Sequence, residues 1–166
     1  MTRFWYKGPI GKTSLDFCVL EFPPTSDRNM WTYATCCMSS ISDITPLEVH
    51  MFSSIQDQSI VELLTVVASY HQNDSQLDIY HTVNFGRPWQ GKSKCHYGLI
   101  SLPYLDGPNL EDLIFSDSLK RVKFYWLIPI TKDEMEFKKG FGIESLEEKF
   151  EESEFNYLDA NRPGVV

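Results

Sequence analysis

Long apolar runs are missing from this 166-residue chain: no hydrophobic stretch reaches the roughly 20 residues that a membrane-spanning helix requires. Cysteine is scarce, and Cys18, Cys36, Cys37 and Cys95 fit no paired metal-binding spacing. Cys36 and Cys37 fall in an expected strand, where successive side chains point to opposite faces, so buried and reduced thiols are the expectation. The histidines His50, His71, His81 and His96 show none of the i, i+2 or i+4 pairings that metal sites often use. There is no Gly-x-Ser-x-Gly nucleophile elbow, no internal repeat, no heptad array and no low-complexity linker. Positive charge is the minority, with 15 Lys and Arg against 23 Asp and Glu and a formal net charge of -8. That balance repels nucleic acid phosphates and anionic membranes and favours encounter with basic partners. The opening residues lack the apolar core of a secretory signal, and Gly8-Pro9 interrupts any attempt to extend one. A cytoplasmic protein is expected.

What is present is ample material for a core: 42% hydrophobic and 14% aromatic residues argue for one folded domain over residues 1–166. Residues 15–22, "LDFCVLEF", form an apolar run closed by Pro23-Pro24, and 30–38, "MWTYATCCM", are rich in β-formers. "LEVHMFSSI" follows Pro46 as a further strand. Ser59 to Glu62 reads as a capping box, opening a helix with Ile60, Leu63, Leu64, Val67 and Tyr70 on one face. Strands are expected at 79–85 and 96–104, and Asp106-Gly107-Pro108 should turn the chain into a short helix, "NLEDLIF". Residues 121–130 alternate strongly, with Pro129 marking the end of the strand or an edge position. Thr131 to Glu134 is a second capping box, for a helix closed by Gly140 and Gly142. Leu146 and Phe150 then give a narrow apolar stripe to the acidic "ESLEEKFEESEF" helix. Clustered strands with singly inserted helices predict an α+β fold: a mixed, mainly antiparallel sheet covered by helices, in α/β sandwich-like layers.

Several constellations could carry chemistry. Gly86-Arg87-Pro88-Trp89-Gln90-Gly91-Lys92-Ser93 satisfies G-x-x-x-x-G-K-[ST] letter for letter, and a nucleotide-binding enzyme built on residues 86–93 is the alternative reading. A P-loop, however, needs a helix opening at the Lys-Ser pair. The residues after Ser93 lack helical periodicity and read as a strand, Pro88 has no N–H for a phosphate, and a hairpin loop fits better. Glu48 and His50 project to one strand face, either as an acid/base pair for a metal-dependent hydrolase or as a surface pair of small consequence. His81, among apolar neighbours, reads as a satisfied sheet histidine. Cys95 and His96, adjacent on a strand, point apart. No catalytic residue, metal ligand or cofactor site is assigned.

The densest charge run contains Glu144, Glu147, Glu148, Glu151, Glu152 and Glu154, relieved only by Lys149. It reads as a solvated helix face or as an electrostatic docking surface for a basic protein. Arg87 and Trp89 are residue types that anchor interfaces, provided the hairpin loop is exposed. Arg87, Trp89, Glu147, Glu148, Glu151 and Glu152 are therefore the candidate partner-binding residues.

Five segments, in order and spacing, resemble the suppressor of fused (SUFU) domain family: "WTYATCCMS" (31–39), "PLEVHMF" (46–52), "SLPYLDGPNLEDL" (101–113), "VKFYWLIPITKDEMEF" (122–137) and "DANRPGV" (159–165). The most specific piece is Leu127-Ile128-Pro129-Ile130-Thr131 with Glu134 following. One departure is Cys37 before Met38-Ser39, where the family usually has Gly; if that Gly takes a positive φ, the turn must be built differently here. The resemblance implies a non-enzymatic protein-binding domain without cofactor. For a single-lobed chain of this length it implies a bacterial immunity protein that neutralises a polymorphic toxin by direct binding to the cognate toxin domain, with no nucleic acid or membrane partner.

Overall fold

Strand-forming segments dominate the first third of the chain, of which the computed structural model describes residues 1–4, 16–40, 43, 46–115 and 120–166. Thr2–Phe4 (β1), Cys18–Phe22 (β2), Trp31–Cys36 (β3) and Leu47–Ser53 (β4) pair successively and antiparallel. Leu15, expected in the first of the longer strands, lies outside the described residues. Helix Gln58–Asn73 (α1) is followed by the antiparallel hairpin of Thr82–Asn84 (β5) and Cys95–Ser101 (β6). One helical turn, Pro108–Glu111 (α2), leads into Asp112–Phe115 (β7). Lys120–Thr131 (β8) then runs directly into Lys132–Phe141 (α3) and Ile143–Glu152 (α4).

The sheet order is β1-β2-β3-β4-β8-β6-β5, with β7 on β8. β8 is its axis: residues 123–126 pair in parallel with β4, while β6 and β7 pair with it antiparallel. The mixed, mainly antiparallel sheet read from the sequence is thus present. Alternation along the strands sends Val49, Met51, Tyr125, Leu127 and Ile100 to one face, against α1 through Ile60, Leu64 and Val67. It sends Phe52, Trp126, Ile128, Ile130 and Leu99 to the other, against Met135 of α3 and Leu146 and Phe150 of α4. Each fully buried aliphatic or aromatic side chain contributes about 1.5–3 kcal/mol, so both helical layers are held by the sheet. Gly98 of β6 leaves room for its neighbours on the sheet: a Cβ there would lie 2.6 Å from Leu127 Cδ1 of β8 and 2.6 Å from Cζ of Phe85, which follows β5.

The capping box at Thr131 is formed on both sides, with Glu134 N–H donating to Thr131 Oγ1 and Thr131 N–H to Glu134 Oε2. The one expected at Ser59 is not. Asp57 caps α1 instead, accepting from Ser59 N–H, because its carboxylate reaches that orphan amide two residues earlier. "NLEDLIF" splits into α2 and β7, since β8 offers Asp112 to Phe115 an edge to pair with and propensity yields to that pairing. The strand expected at 79–85 shrinks to three residues; Tyr80 takes φ 64° and His81 is exposed, so His81 is no core histidine. Pro129 lies inside β8, but β4 pairs only as far as Trp126. The side without an N–H is therefore free of a ladder partner, and the Pro129 carbonyl accepts from Arg162.

Cys36 and Cys37 do not diverge. Cys37 follows the last residue of β3 with φ 61°, which breaks the strand alternation and leaves the two Sγ atoms 3.9 Å apart, with Cys37 exposed. The turn thus uses a left-handed residue without using glycine, a conformation that costs an L-residue roughly 1–2 kcal/mol. Cys37→Gly should raise the urea midpoint by an amount equivalent to roughly 0.5–1 kcal/mol, since glycine's greater chain entropy takes back part of the relief. An unchanged or lower midpoint would show that the turn carries no such strain.

Candidate protein-binding surface

The acidic helix α4 is positioned by Leu146 and Phe150, both buried, which pin one stripe of the helix to the sheet. Glu147 and Glu151 of α4 are four residues apart and therefore share a neighbouring face, and Glu154, past the helix end with φ 47°, comes to the same side. All three line a hollow of about 450 Å³ between α4 and the sheet. Its floor is Leu99 and Ser101 of β6 with Trp126 and Ile128 of β8. Its far lip is Tyr104 and Leu105, and the chain after α4 supplies Phe155 and Tyr157. The walls are largely aromatic: Trp126 and Tyr157 meet edge to face at 5.1 Å, and Phe155 stacks on Phe150 at 4.3 Å.

Polar groups around the hollow are few. Tyr104 Oη donates to Glu147 Oε1 at 3.0 Å, and burial, then the Glu147 carboxylate, hold its hydroxyl well above the ordinary tyrosine range. Ser101 is 1% exposed, and its Oγ has no hydrogen-bond partner. Lys149, the one cation on α4, pairs with Glu152 at 2.7 Å, on the side away from the hollow. Among the described residues, no cationic side chain lines the cavity.

Of the residues singled out in the sequence, Glu147 and Glu151 border the hollow, whereas Glu148 and Glu152 lie on α4 outside it. Glu154, not among the candidates, borders it as well. Trp89, expected as an interface anchor, is instead 1% exposed and packs in the core against the α1 face of the sheet, so it offers a partner no anchor. Arg87 is half-buried, and its guanidinium donates to the Ser59 carbonyl at 2.5 Å. Beside it, Gln90 donates to Ser53 Oγ and Asp57 Oδ2. The loop is a plug on the N-terminus of α1 rather than an exposed hairpin tip. The same loop departs from a P-loop in the way expected: strand β6 follows Ser93, and Ser93 Oγ is spent accepting from Cys95 N–H.

Glu48 and His50 are both buried, but they face different partners. The Glu48 carboxylate accepts from Thr35 Oγ1 at 2.6 Å and from Met38 N–H at 3.0 Å. Burial outweighs these donors and raises its pKa from 4.5 to about 7. His50 Nε2 lies 3.4 Å from Asp106 Oδ2, while Arg28 engages Oδ1 of the same carboxylate. Burial pushes Asp106 upward, but His50 and Arg28 more than offset it and hold the carboxyl below its usual range. Ser101, His50 and Asp106 bring serine, histidine and aspartate near one sheet face, yet the register puts Trp126 between Ser101 and His50. Two strand spacings, about 10 Å, separate their backbones, and Ser101 Oγ has no hydrogen-bond partner, so the serine–histidine bond that proton transfer needs is not formed. Among the described residues, no three His, Cys, Asp or Glu side chains converge as a metal site would require. Nor is any described helix long and apolar enough to cross a membrane.

The molecule is thus a mixed sheet between helical layers, with an acid-rimmed aromatic hollow on one face. The family model for suppressor of fused protein (SUFU) matches residues 11–163, and the chain belongs to that family. The structure is similar to that of a SUFU homologue from Neisseria gonorrhoeae FA 1090, with 34% identity and a TM-score of 0.83, over 99% of this chain and 87% of that one. It is also similar to a chain of the Sufu-Fu complex, with 14% identity and a TM-score of 0.71, over 99% of this chain and 84% of that one. With Drosophila Suppressor of Fused, identity is 14% and the TM-score 0.64, over 90% of this chain and 42% of that one. No curated protein sequence matches the chain at a meaningful level.

Proposed function

We propose that this protein is a non-enzymatic binding module of the bacterial cytoplasm, an immunity protein that neutralises a toxin by occluding the toxin domain's working surface. The observation that carries this reading is the α4 face, where an acidic helix without a free cation flanks an apolar, aromatic hollow. A surface of one charge sign steers a basic partner and disfavours acidic ones, while recessed aromatic area supplies the burial that slows dissociation. Family membership supports protein binding as the activity, and one structurally similar chain was solved as a Sufu-Fu complex. The net charge of -8 fits a basic effector.

The test is capture from native lysate at low and high salt, with mass spectrometry of the retained chains and an activity assay of any partner. The expected result is one stoichiometric, toxin-like chain whose activity falls when this protein is added. Reversing Glu147, Glu148, Glu151 and Glu152 to Lys should slow association by at least about tenfold and remove its salt dependence. A lysate that expresses the neighbouring genes yet yields no partner, or a partner whose activity is untouched, would overturn the immunity role.

A further inference from the structure

We propose that the hollow beside α4 is a side-chain pocket that takes one arginine of the bound protein. The guanidinium would lie against Trp126 near Ser101 and Glu147, and its aliphatic stem would run along the aromatic wall to the mouth. This inference names the recognition element of the proposed binding module and rests on that function.

Four observations converge on a cation with an apolar stem. At about 450 Å³ the hollow falls within the roughly 300–1,000 Å³ of sites that enclose small ligands, ample for one long side chain. Its carboxylates run inward from the mouth, since Glu151 and Glu154 are exposed and Glu147 is half-buried. Among the described residues, neither Glu151 nor Glu154 has an ion-pair partner and no cation lines the cavity. Acidic groups beside a low-dielectric wall attract a cation more strongly than they would in open water.

Ser101 supplies the second kind of evidence. Its hydroxyl is buried in the floor of the hollow without a partner, although nearly all buried polar groups in native proteins are hydrogen-bonded. An N–H donor entering the cavity would satisfy it. The aromatic walls select among cations: a guanidinium stacks on an indole and presents planar N–H forks to a carboxylate, whereas an ammonium is a compact, strongly hydrated charge. Arginine therefore fits better than lysine. An acidic or phosphorylated group would be repelled by the three carboxylates, with no cation among the described lining residues to offset them.

The probe is N-acetyl-arginine methylamide, titrated into the full chain while the methyl groups of Leu99, Leu105 and Ile128 and the Trp126 indole N–H are followed by NMR. The neutral citrulline analogue serves as the comparison. The expected result is saturable shifts at those groups, with the citrulline probe at least about tenfold weaker. Glu147→Gln should weaken the arginine probe about tenfold and Ser101→Ala more modestly, while Glu62→Gln, on α1 across the sheet from the hollow, leaves it unchanged. Equal shifts from both probes, no shift at these groups, or an equal loss with Glu62→Gln would each overturn the pocket. Running Glu147→Gln beside the wild type in the lysate capture separates the two hypotheses. A partner retained equally by both overturns the pocket and leaves the binding function standing; no partner for the wild type removes the function and this inference with it.

Discussion

Replacing Arg162 with Met is expected to lower stability by about 3–5 kcal/mol, the usual consequence of removing one partner of a buried ion pair, and the melting temperature by on the order of 10 °C. Arg162 is 4% exposed and Glu134 is 0% exposed. The guanidinium grips both carboxylate oxygens, at 2.6 and 2.8 Å, and also donates to the Pro129 carbonyl. Glu134 meanwhile accepts from Thr131 N–H to cap α3 and from Val165 N–H to hold the tail. One side chain thus joins β8, α3 and the C-terminal segment, with the Arg162 guanidinium 5.2 Å from the Phe155 ring centroid. Removing the cation strands the carboxylate in the interior. Adding Glu134→Gln to Arg162→Met should recover a large part of the loss, because the amide keeps one of the two accepted bonds without a buried charge. Denaturant unfolding of the single and double variants measures both effects. A loss under 1 kcal/mol for the single variant would show that water reaches the pair.

The second large effect is on pH dependence. Glu48 titrates near 4.5 when exposed and near 7 in the folded protein. Between those values the folded state holds a proton that the unfolded state has released, so its contribution to stability falls as pH rises from about 4.5 to about 7 and is level beyond. The gap is worth on the order of 3 kcal/mol. His71 works in the opposite sense. Burial lowers its pKa although Asp43 opposes this, so its contribution is lost as pH falls below 6.5. Its neutral form is held by Leu77 N–H donating to Nδ1. The wild-type profile is therefore a sum, and the difference between wild type and Glu48→Gln isolates the carboxyl. That difference should move by about 3 kcal/mol between pH 4.5 and 7.5, in favour of the variant at the higher pH. Parallel profiles would mean that Glu48 is ionised in the folded state across the range.

How much of this was legible beforehand depends on the distance in sequence over which each feature is built. The Thr131 capping box, the Leu146 and Phe150 stripe and the hairpin in place of a P-loop follow from neighbours within a few positions, and all are present. The same local logic failed where a more distant group competed. Asp57 took the cap from Ser59, and the edge of β8 drew Asp112 to Phe115 out of a helix. Cys37 builds a left-handed turn, φ 61°, that its neighbours in sequence do not announce. Trp89 looked like an interface anchor because tryptophan and loop are the local facts; that the loop folds back over α1 is not one.

The sequence by itself determined the family, the mixed sheet with its helical cover, and the acid-rich face of α4, because residue spacing sets which side chains share a face and five dispersed segments carry the family pattern. Only the tertiary structure decided what that face overlooks. The floor of the hollow depends on the pairing of Ser101 with Trp126 across two strands, and its wall on a tail held by a contact between Glu134 and Arg162, 28 residues apart. Strand register and long-range ion pairs arise when the whole chain packs, since a one-residue slip would turn Ser101 or Trp126 to the opposite side of the sheet.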